Sequence, residues 1–210
     1  MRATYYRVKP PEVDIIIPTL DFQTAFDSAV KWAEPGKLDP GVETWWVTIV
    51  VDEKREGFTK TVNRGLAKTE SPYICIMGDD AVPETEGWLL ALRKALDGYG
   101  FAFPTMPCRT IPISRARKAS PTEQLVERPH GPYGCVLLRR EVLEEVGLLD
   151  EAFIHYGSDV DHQRRSGWKS VWAAHVYVRR ELHEPREPWW TEDNATFEER
   201  YGEEGQHRRL

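Results

Sequence analysis

The feature that most constrains the fold is a repeated alternation of short apolar segments with amphipathic ones in the first hundred residues. Strands are predicted at 13–18, 45–51 and 73–77, and the helices that follow them at 22–33, 58–68 and 88–96. The strand segments are apolar on both faces, which is typical of buried strands in a parallel sheet. Because strand-then-helix units in succession form parallel sheets with right-handed crossovers, the sequence predicts an α/β fold.

Length and composition describe an ordinary globular protein. The chain has 210 residues, and its 28 basic and 34 acidic side chains give a formal net charge of −6. This balance argues against a general nucleic-acid footprint. The apolar runs, such as 47–51, are far shorter than the roughly 18 residues of a membrane helix, and no signal peptide is apparent. With three widely spaced cysteines and no CxxC motif, we expect a cytoplasmic protein without a transmembrane segment.

The periodic pattern stops near residue 104, where a long segment rich in proline and arginine begins. A structureless segment of this length in a compact domain is typically a functional lid or disordered. Arg109 and Arg115 are candidates to close over an anionic ligand or to meet an acidic partner. A solvated loop is an equally open interpretation of the same residues.

The chain is predicted to form one domain over 1–184 followed by a charged tail over 185–210. Within the domain, a first half covers about 1–104 and a second half about 105–184. The tail carries one short predicted helix near 196–201.

Carboxylates follow three successive predicted strands, at Asp21, at Asp52 and at Asp79–Asp80. In open α/β sheets, ligands bind outside the carboxyl ends of the strands. A single aspartate in such a place is more often a helix cap or a turn residue. Two adjacent carboxylates at the end of a buried strand repel each other unless a cation or a basic group lies between them. Mg²⁺ and Mn²⁺ favour such oxygen ligands.

A second acidic cluster lies at 156–162, where Asp159 and Asp161 follow a glycine that permits a tight turn. A carboxylate in this position can accept a proton from a hydroxyl nucleophile. Capping of a helix N-terminus by Ser158 or Asp159 explains the same pattern without any chemistry.

These motifs occur in an order that points to one family. They are an IIIP-T strand end, a VVD strand end, Asn63-Arg64-Gly65, a GDD turn before a GWL helix, the segment Gly134 to Glu151, and a YGSDVD turn. Their order and spacing resemble the family 2 glycosyltransferases with the GT-A fold. The resemblance covers about 13–183 and implies a Rossmann-like, mostly parallel central sheet flanked by helices.

The resemblance implies a set of donor-binding residues. Pro18 and Thr19 would line the nucleotide pocket, and Asp52 would accept a hydrogen bond from an N–H of the base, which favours a pyrimidine. Asn63 is assigned to the donor site as well. Asp79 would lie near the ribose or a metal ion.

A divalent cation, Mn²⁺ or Mg²⁺, is implied at the DXD-like motif. Asp80 takes the place of the metal-binding carboxylate, whereas the first aspartate of the motif is replaced by Gly78. His183 stands where many GT-A enzymes place a further ligand to the metal or the diphosphate. For a histidine in this context, a structural role is the competing interpretation.

The resemblance also implies the reaction. Asp159 falls on the catalytic aspartate, and Asp161 would orient the acceptor or the base. The expected activity is inverting transfer of a sugar from a nucleoside-diphosphate sugar, of UDP type, to a hydroxyl group of a glycan or another acceptor. A modified nucleic acid is among the open acceptors. Trp189 and Trp190 would stack on a sugar or, as the favoured interpretation, anchor the tail to the domain.

Two other functions stay open. Gly78 and Ser158, which stands where the family usually has glutamate, depart from the family pattern. They are compatible with an inactive or degenerate GT-A module that binds carbohydrate or nucleotide. A nucleotidyltransferase also places carboxylates at strand ends, but it needs a glycine-rich basic loop after the first strand, and 19–23 is not one.

Overall fold

The computed structural model describes residues 11–32, 45–106, 125–180 and 189–202. The strands are β1 (Val13–Thr19), β2 (Trp45–Val51), β3 (Tyr73–Met77), β4 (Ala81–Pro83), β5 (Phe101–Thr105), β6 (Leu125–Arg128), β7 (Cys135–Arg139) and β8 (Ser170–Arg180). The helices are α1 (Phe22–Trp32), α2 (Phe58–Leu66), α3 (Trp88–Ala95), α4 (Arg140–Val146), α5 (Ser158–Ser166) and α6 (Trp190–Tyr201). Each helix in these ranges is too short or too polar to cross a bilayer.

The strands form one sheet in the order β2-β1-β3-β7-β5-β8-β4, with β6 also paired to β8. β1 lies between β2 and β3 and is parallel to both, as the sequence predicts. β7 runs antiparallel to β3 and β5, and β4 and β6 run antiparallel to β8, while β5 and β8 are parallel. The α/β prediction is confirmed, and the sheet is mixed because apolar periodicity indicates a strand without indicating its direction.

Helices cover both faces of the sheet, because side chains alternate between the faces along each strand. On one face, Ile15 and Ile17 of β1 pack with residues of α1 and α3, including Trp88. On the other face, Ile16 packs with residues of α2 and α4. The charged Asp14 is tolerated within β1 because its carboxylate accepts the backbone N–H groups of residues 70 and 71, at 2.8 and 2.9 Å.

The parallel strands bring their carboxyl ends to the same edge of the sheet. Thr19 is in register with Val51, and the N–H of Asp52 donates to the carbonyl of Thr19 at 2.8 Å. β3 ends at Met77, directly before Gly78 and the two aspartates. This edge is where the predicted donor residues must be sought.

Helix α6 of the tail is fastened to the loop that precedes α5. The carboxylate of Asp193, which is buried, accepts the N–H groups of Ile154, His155 and Tyr156 at 2.6 to 2.8 Å. Phe197 packs against Phe153. The helix begins at residue 190, earlier than the sequence predicts, and it completes one side of the domain. The division of the chain at residue 184 stays a prediction.

Replacing Asp193 tests this attachment. We expect Asp193→Asn to lower the free energy of unfolding by about 2–3 kcal/mol, because an amide nitrogen cannot accept the N–H groups that the carboxylate binds. Glu192→Gln, on the exposed side of the same helix turn, is the control and should change it by less than about 0.5 kcal/mol. Urea denaturation measures both, and equal effects of the two substitutions would contradict this role of Asp193.

Candidate active site

Asp79 and Thr19 contact each other across the carboxyl edge of the sheet. The hydroxyl of Thr19 lies 2.5 Å from a carboxylate oxygen of Asp79. Burial raises the pKa of Asp79, and the negative charge of Asp80 raises it further, while the hydrogen bond from Thr19 acts in the opposite direction. The structure therefore joins two of the predicted donor residues, with Pro18 buried beside Thr19 in β1.

Asp80 forms an ion pair with Arg180, a residue that the sequence did not single out. The Nε of Arg180 lies 3.0 and 3.2 Å from the two carboxylate oxygens of Asp80. The contact follows from the topology, because Arg180 is paired with Ala81 in the β4–β8 ladder. The side chain of Asp80 is 4% exposed and that of Arg180 is 38% exposed. A buried carboxylate is thus joined to a cation that still reaches solvent.

Gly78 takes the place of the aspartate that usually opens this motif. Its N–H donates to the carbonyl of Gly134 at 2.9 Å. A Cβ at position 78 would lie 2.9 Å from a carboxylate oxygen of Asp80, so that side chain would have to shift to admit one. A side chain at position 78 would therefore disturb the contact between Asp80 and Arg180.

The described residues do not fit a divalent metal site. No three acidic, histidine or cysteine side chains within the described ranges are grouped so that they could hold a metal ion. The oxygens of Asp80, predicted as a metal ligand, are held by Arg180, and one oxygen of Asp79 is held by Thr19. His183, the other predicted ligand, lies outside the described residues.

Asp52 fixes the turn that leads into α2. Its two oxygens accept the N–H groups of Glu56 and Gly57 at 3.0 and 2.9 Å, and Arg64 lies 3.3 Å away. Burial alone would raise the pKa of Asp52, but these donors hold it below its usual value. Gly57 has a φ of 98°, and a Cβ there would lie 2.4 Å from the carbonyl oxygen of Ile154. The turn is therefore pressed against the loop that precedes α5.

The side chain of Asn63 forms a hydrogen bond with none of the other residues that are predicted to bind the sugar donor. Its side-chain amide bonds to both the N–H and the carbonyl of Leu149, at 3.0 and 2.9 Å, and to Glu151. These bonds join α2 to the segment between α4 and α5. The structure thus gives Asn63 a structural role in place of the predicted contact with the donor.

Asp159 is half-buried in the first turn of α5. Its carboxylate accepts the N–H of Val160 at 2.9 Å and that of Tyr133 at 3.3 Å. Burial raises the pKa of Asp159, and these hydrogen bonds oppose the rise only in part. A carboxyl group with a raised pKa is better matched to accept a proton near neutral pH.

The loop before β7 brings Asp159 to the same edge as the DXD-like motif. Tyr133 donates its N–H to Asp159, and the next residue, Gly134, accepts the N–H of Gly78. Gln163 of α5 holds this loop, because its side-chain amide bonds to both the N–H and the carbonyl of Gly131. The predicted base and the predicted donor residues are therefore joined through one short loop.

A hydrogen bond between His162 and Tyr133 holds α5 against the loop before β7. Nε2 of His162 lies 3.1 Å from the carbonyl of Gly147, so it carries the proton, and Nδ1 accepts the hydroxyl of Tyr133 at 2.7 Å. Both side chains are buried. Burial lowers the pKa of His162 to about 4. Neither residue was identified from the sequence, since a single buried histidine and tyrosine carry no motif.

Asp161 joins α5 to α6 through its carboxylate. It is fully buried, and its oxygens bind Arg165 at 2.8 Å, Arg200 at 2.5 Å and the hydroxyl of Tyr201 at 2.8 Å. These contacts give Asp161 a structural role, and its predicted role in orienting the acceptor or the base stays a prediction.

Trp189 and Trp190 attach the start of α6 to the loop before α5. Trp189 stacks on His155 with 5.7 Å between ring centroids, and Trp190 meets the ring of Tyr156 edge-on at 4.9 Å. These contacts support the anchoring interpretation of the pair. Arg109 and Arg115, the predicted lid residues, lie outside the described residues.

The buried His162 makes stability depend on pH in a defined direction. Its pKa is about 4 in the folded protein and 6.5 as the reference value, so the unfolded state takes up a proton first as the pH falls. We expect its contribution to stability to be complete above pH 6.5 and to decrease by about 1.4 kcal/mol per pH unit between 6.5 and about 4.

His162→Gln keeps a donor and an acceptor but removes the titration. The difference in unfolding free energy between wild type and this variant should shrink as the pH falls through that window, as measured by urea denaturation at several pH values. His175→Gln, a half-buried histidine of β8, is the control. A difference that stays constant with pH would contradict burial of neutral His162.

Two solved glycosyltransferases and a mycobacterial protein share the fold of this chain. GalNAc-T7, solved with UDP, GalNAc and Mn²⁺, superposes with a TM-score of 0.61 at 12% identity, over 83% of this chain and 44% of that one. The mannosyltransferase PcManGT from Pyrobaculum calidifontis, in complex with GDP-Man and Mn²⁺, gives 0.55 at 18% identity, over 87% and 60%. A mycobacterial protein gives 0.58 at 16% identity, over 91% and 75%. The chain thus spans less than two thirds of the length of the first two, and the likeness shows the fold.

The sequence comparison identifies the family. No curated protein matches the chain in sequence. Residues 39–147, more than half of the chain, match the family model for glycosyl transferase family 2. This range contains Asp52 and the Gly78-Asp79-Asp80 turn, and the fold agrees with it. The chain therefore belongs to glycosyl transferase family 2 and has the GT-A fold.

Proposed function

We propose that the protein transfers a sugar, with inversion, from a uridine-diphosphate sugar to a hydroxyl group, and that Asp159 is the general base. The observation that carries the proposal is the environment of Asp159. This carboxylate has a raised pKa, remains partly exposed, and is tied by Tyr133 to the loop that contacts Gly78. Asp159 can therefore be reached from solvent, is held in a fixed position, and can accept a proton close to the residues proposed to bind the sugar donor.

In the proposed reaction, Asp159 accepts the proton of the acceptor hydroxyl. The freed oxygen attacks the anomeric carbon of the donor sugar from the face opposite the diphosphate. The bond between the anomeric carbon and the diphosphate oxygen breaks, and the nucleoside diphosphate leaves with the bonding electron pair. Asp159, now protonated, returns its proton to solvent, and a single displacement of this kind inverts the anomeric centre.

Donor recognition is proposed at the carboxyl ends of β1, β2 and β3. Asp52 would accept the N–H of the uracil base, since each carboxylate oxygen has lone pairs beyond those used by the turn. Thr19 and Asp79 would contact the ribose. The nucleotides in the two solved glycosyltransferases, UDP and GDP-Man, support a nucleotide-sugar donor in general.

An inactive binding module is the second candidate. The close contact at Gly78 supports it, as does Ser158, whose buried hydroxyl has no hydrogen-bond partner among the described residues. Both candidates bind a nucleotide sugar, so turnover distinguishes them.

We also propose a cytoplasmic location. Cys75 and Cys135 lie on the adjacent strands β3 and β7 and are unbridged. The neighbouring thiol of Cys75 and burial keep the pKa of the Cys135 thiol well above its usual value. Two unbridged thiols on neighbouring strands suit a reducing compartment.

Replacing Asp159 tests the base. We expect Asp159→Asn to reduce sugar transfer by about 10²–10⁴-fold, because the amide cannot accept the hydroxyl proton. Nucleotide binding should change less than twofold. Release of nucleoside diphosphate in the presence of acceptor measures the first quantity, and calorimetric titration measures the second. Asp97→Asn, at an exposed position after α3, is the control; wild-type turnover in the Asp159 variant would remove the proposed base.

A nucleotide panel tests the donor. We expect UDP to raise the melting temperature more than CDP, GDP or ADP at equal concentration, because ligand binding stabilises the native state. UDP methylated at N3 of the base lacks the N–H that Asp52 would accept, so it should bind at least tenfold more weakly than UDP. Equal binding of the methylated and unmethylated nucleotides would contradict the proposed contact with Asp52.

A further inference from the structure

We propose that Arg180 supplies the positive charge that holds the diphosphate of the donor, in the place that a divalent cation takes in a metal-dependent site. The inference rests on the proposed function, since it concerns the same donor. It assigns to this chain a nucleotide-sugar site whose binding does not require a metal ion.

The geometry places Arg180 at the end of β3. Its Nε contacts both oxygens of Asp80, directly after the strand whose carboxyl end opens towards the donor. Within the described part of the chain, no hydrogen bond is recorded for its two terminal nitrogens. The side chain is 38% exposed. A guanidinium group held on one edge and open on the other can donate two parallel hydrogen bonds to a phosphate.

The charge of Arg180 also acts on the loop before α5. Burial lowers the pKa of His155, the charge of Asp193 raises it, and the charge of Arg180 lowers it. The positive charge of Arg180 therefore acts both at the DXD-like turn and at the loop that leads to Asp159. A diphosphate between these two segments would lie within its reach.

The charges at this edge require a cation. Without Arg180, the adjacent carboxylates of Asp79 and Asp80 would repel a diphosphate, which itself carries negative charge. A metal ion at Asp80 would have to displace an ion pair whose carboxylate is almost completely buried. It would also lack the first ligand of the motif, because Gly78 stands in place of the aspartate. Arg180 satisfies the same need without either change.

The same residue would assist departure of the leaving group. As the bond to the anomeric carbon breaks, negative charge grows on the diphosphate oxygen. Hydrogen bonds from a fixed guanidinium to these oxygens become stronger as that charge grows. The positive charge therefore acts on the step in which the nucleoside diphosphate leaves.

Titration calorimetry with UDP tests the inference in two arms. In the first, wild-type protein is titrated with UDP in EDTA and again with Mn²⁺, and we expect dissociation constants within threefold of each other. In the second, Arg180→Gln is titrated in EDTA and should bind UDP at least tenfold more weakly than wild type. Arg179→Gln is the matched control, because Arg179 is 39% exposed and pairs with Glu84; it should bind within twofold of wild type.

The outcomes separate the two proposals. UDP binding by wild type that weakens tenfold or more in EDTA would overturn the role of Arg180 while leaving the proposed function in place. So would unchanged binding by a folded Arg180→Gln variant, with folding checked by circular dichroism. Should wild type bind no nucleoside diphosphate in either buffer, the proposed function fails and this inference fails with it. The first arm needs no variant, so it decides even if Arg180→Gln does not fold.

Discussion

The loops of this protein are held in place by the hydrogen-bond donors that its buried carboxylates require. An ionised carboxylate taken from water costs several kcal/mol unless donors replace its hydration. Within the described ranges five aspartates are buried, and each accepts hydrogen bonds from backbone or side-chain donors; they are Asp14, Asp52, Asp80, Asp161 and Asp193. Each of these carboxylates thereby fixes a turn or joins two elements. The edge that carries the site is shaped by these contacts as much as by the hydrophobic core.

The aspartates fall into two groups, which differ in how completely hydrogen-bond donors enclose their carboxylate oxygens. Asp52 holds a turn through two backbone N–H groups, and Asp161 and Asp193 fasten α6. Asp79 and Asp159 are less enclosed, and burial raises the pKa of both. Asp161 and Asp193 are enclosed by their donors, whereas Asp79 and Asp159 keep both access and basicity. This division is why we place the reaction at Asp159 and not at its neighbour Asp161.

Much of the fold was predictable, because it depends on local patterns. Apolar segments flanked by amphipathic ones indicated the parallel β1, β2 and β3 and the helices between them, and Trp88 is in the core. The direction of β7 was not predictable, since the same alternation suits either orientation. Among site residues, spacing identified Asp79, Asp80 and Asp159 as a group near one edge. It gave no signal for Tyr133 or Arg180, whose partners are 26 and 100 residues away in sequence.

The sequence by itself determined the α/β class, the family and the edge of the sheet at which carboxylates gather, because strand ends and motif order are local properties of the chain. Tertiary structure alone decided which carboxylates are free. The sequence suggests Asp161 and Asn63 as site residues. In the folded protein Asp161 is bonded to α6, and Asn63 is bonded to the segment after α4. Arg180 looks like a strand terminus but meets Asp80. Long-range ion pairs and hydrogen bonds form only once β8 and α6 have packed, and no local pattern encodes them.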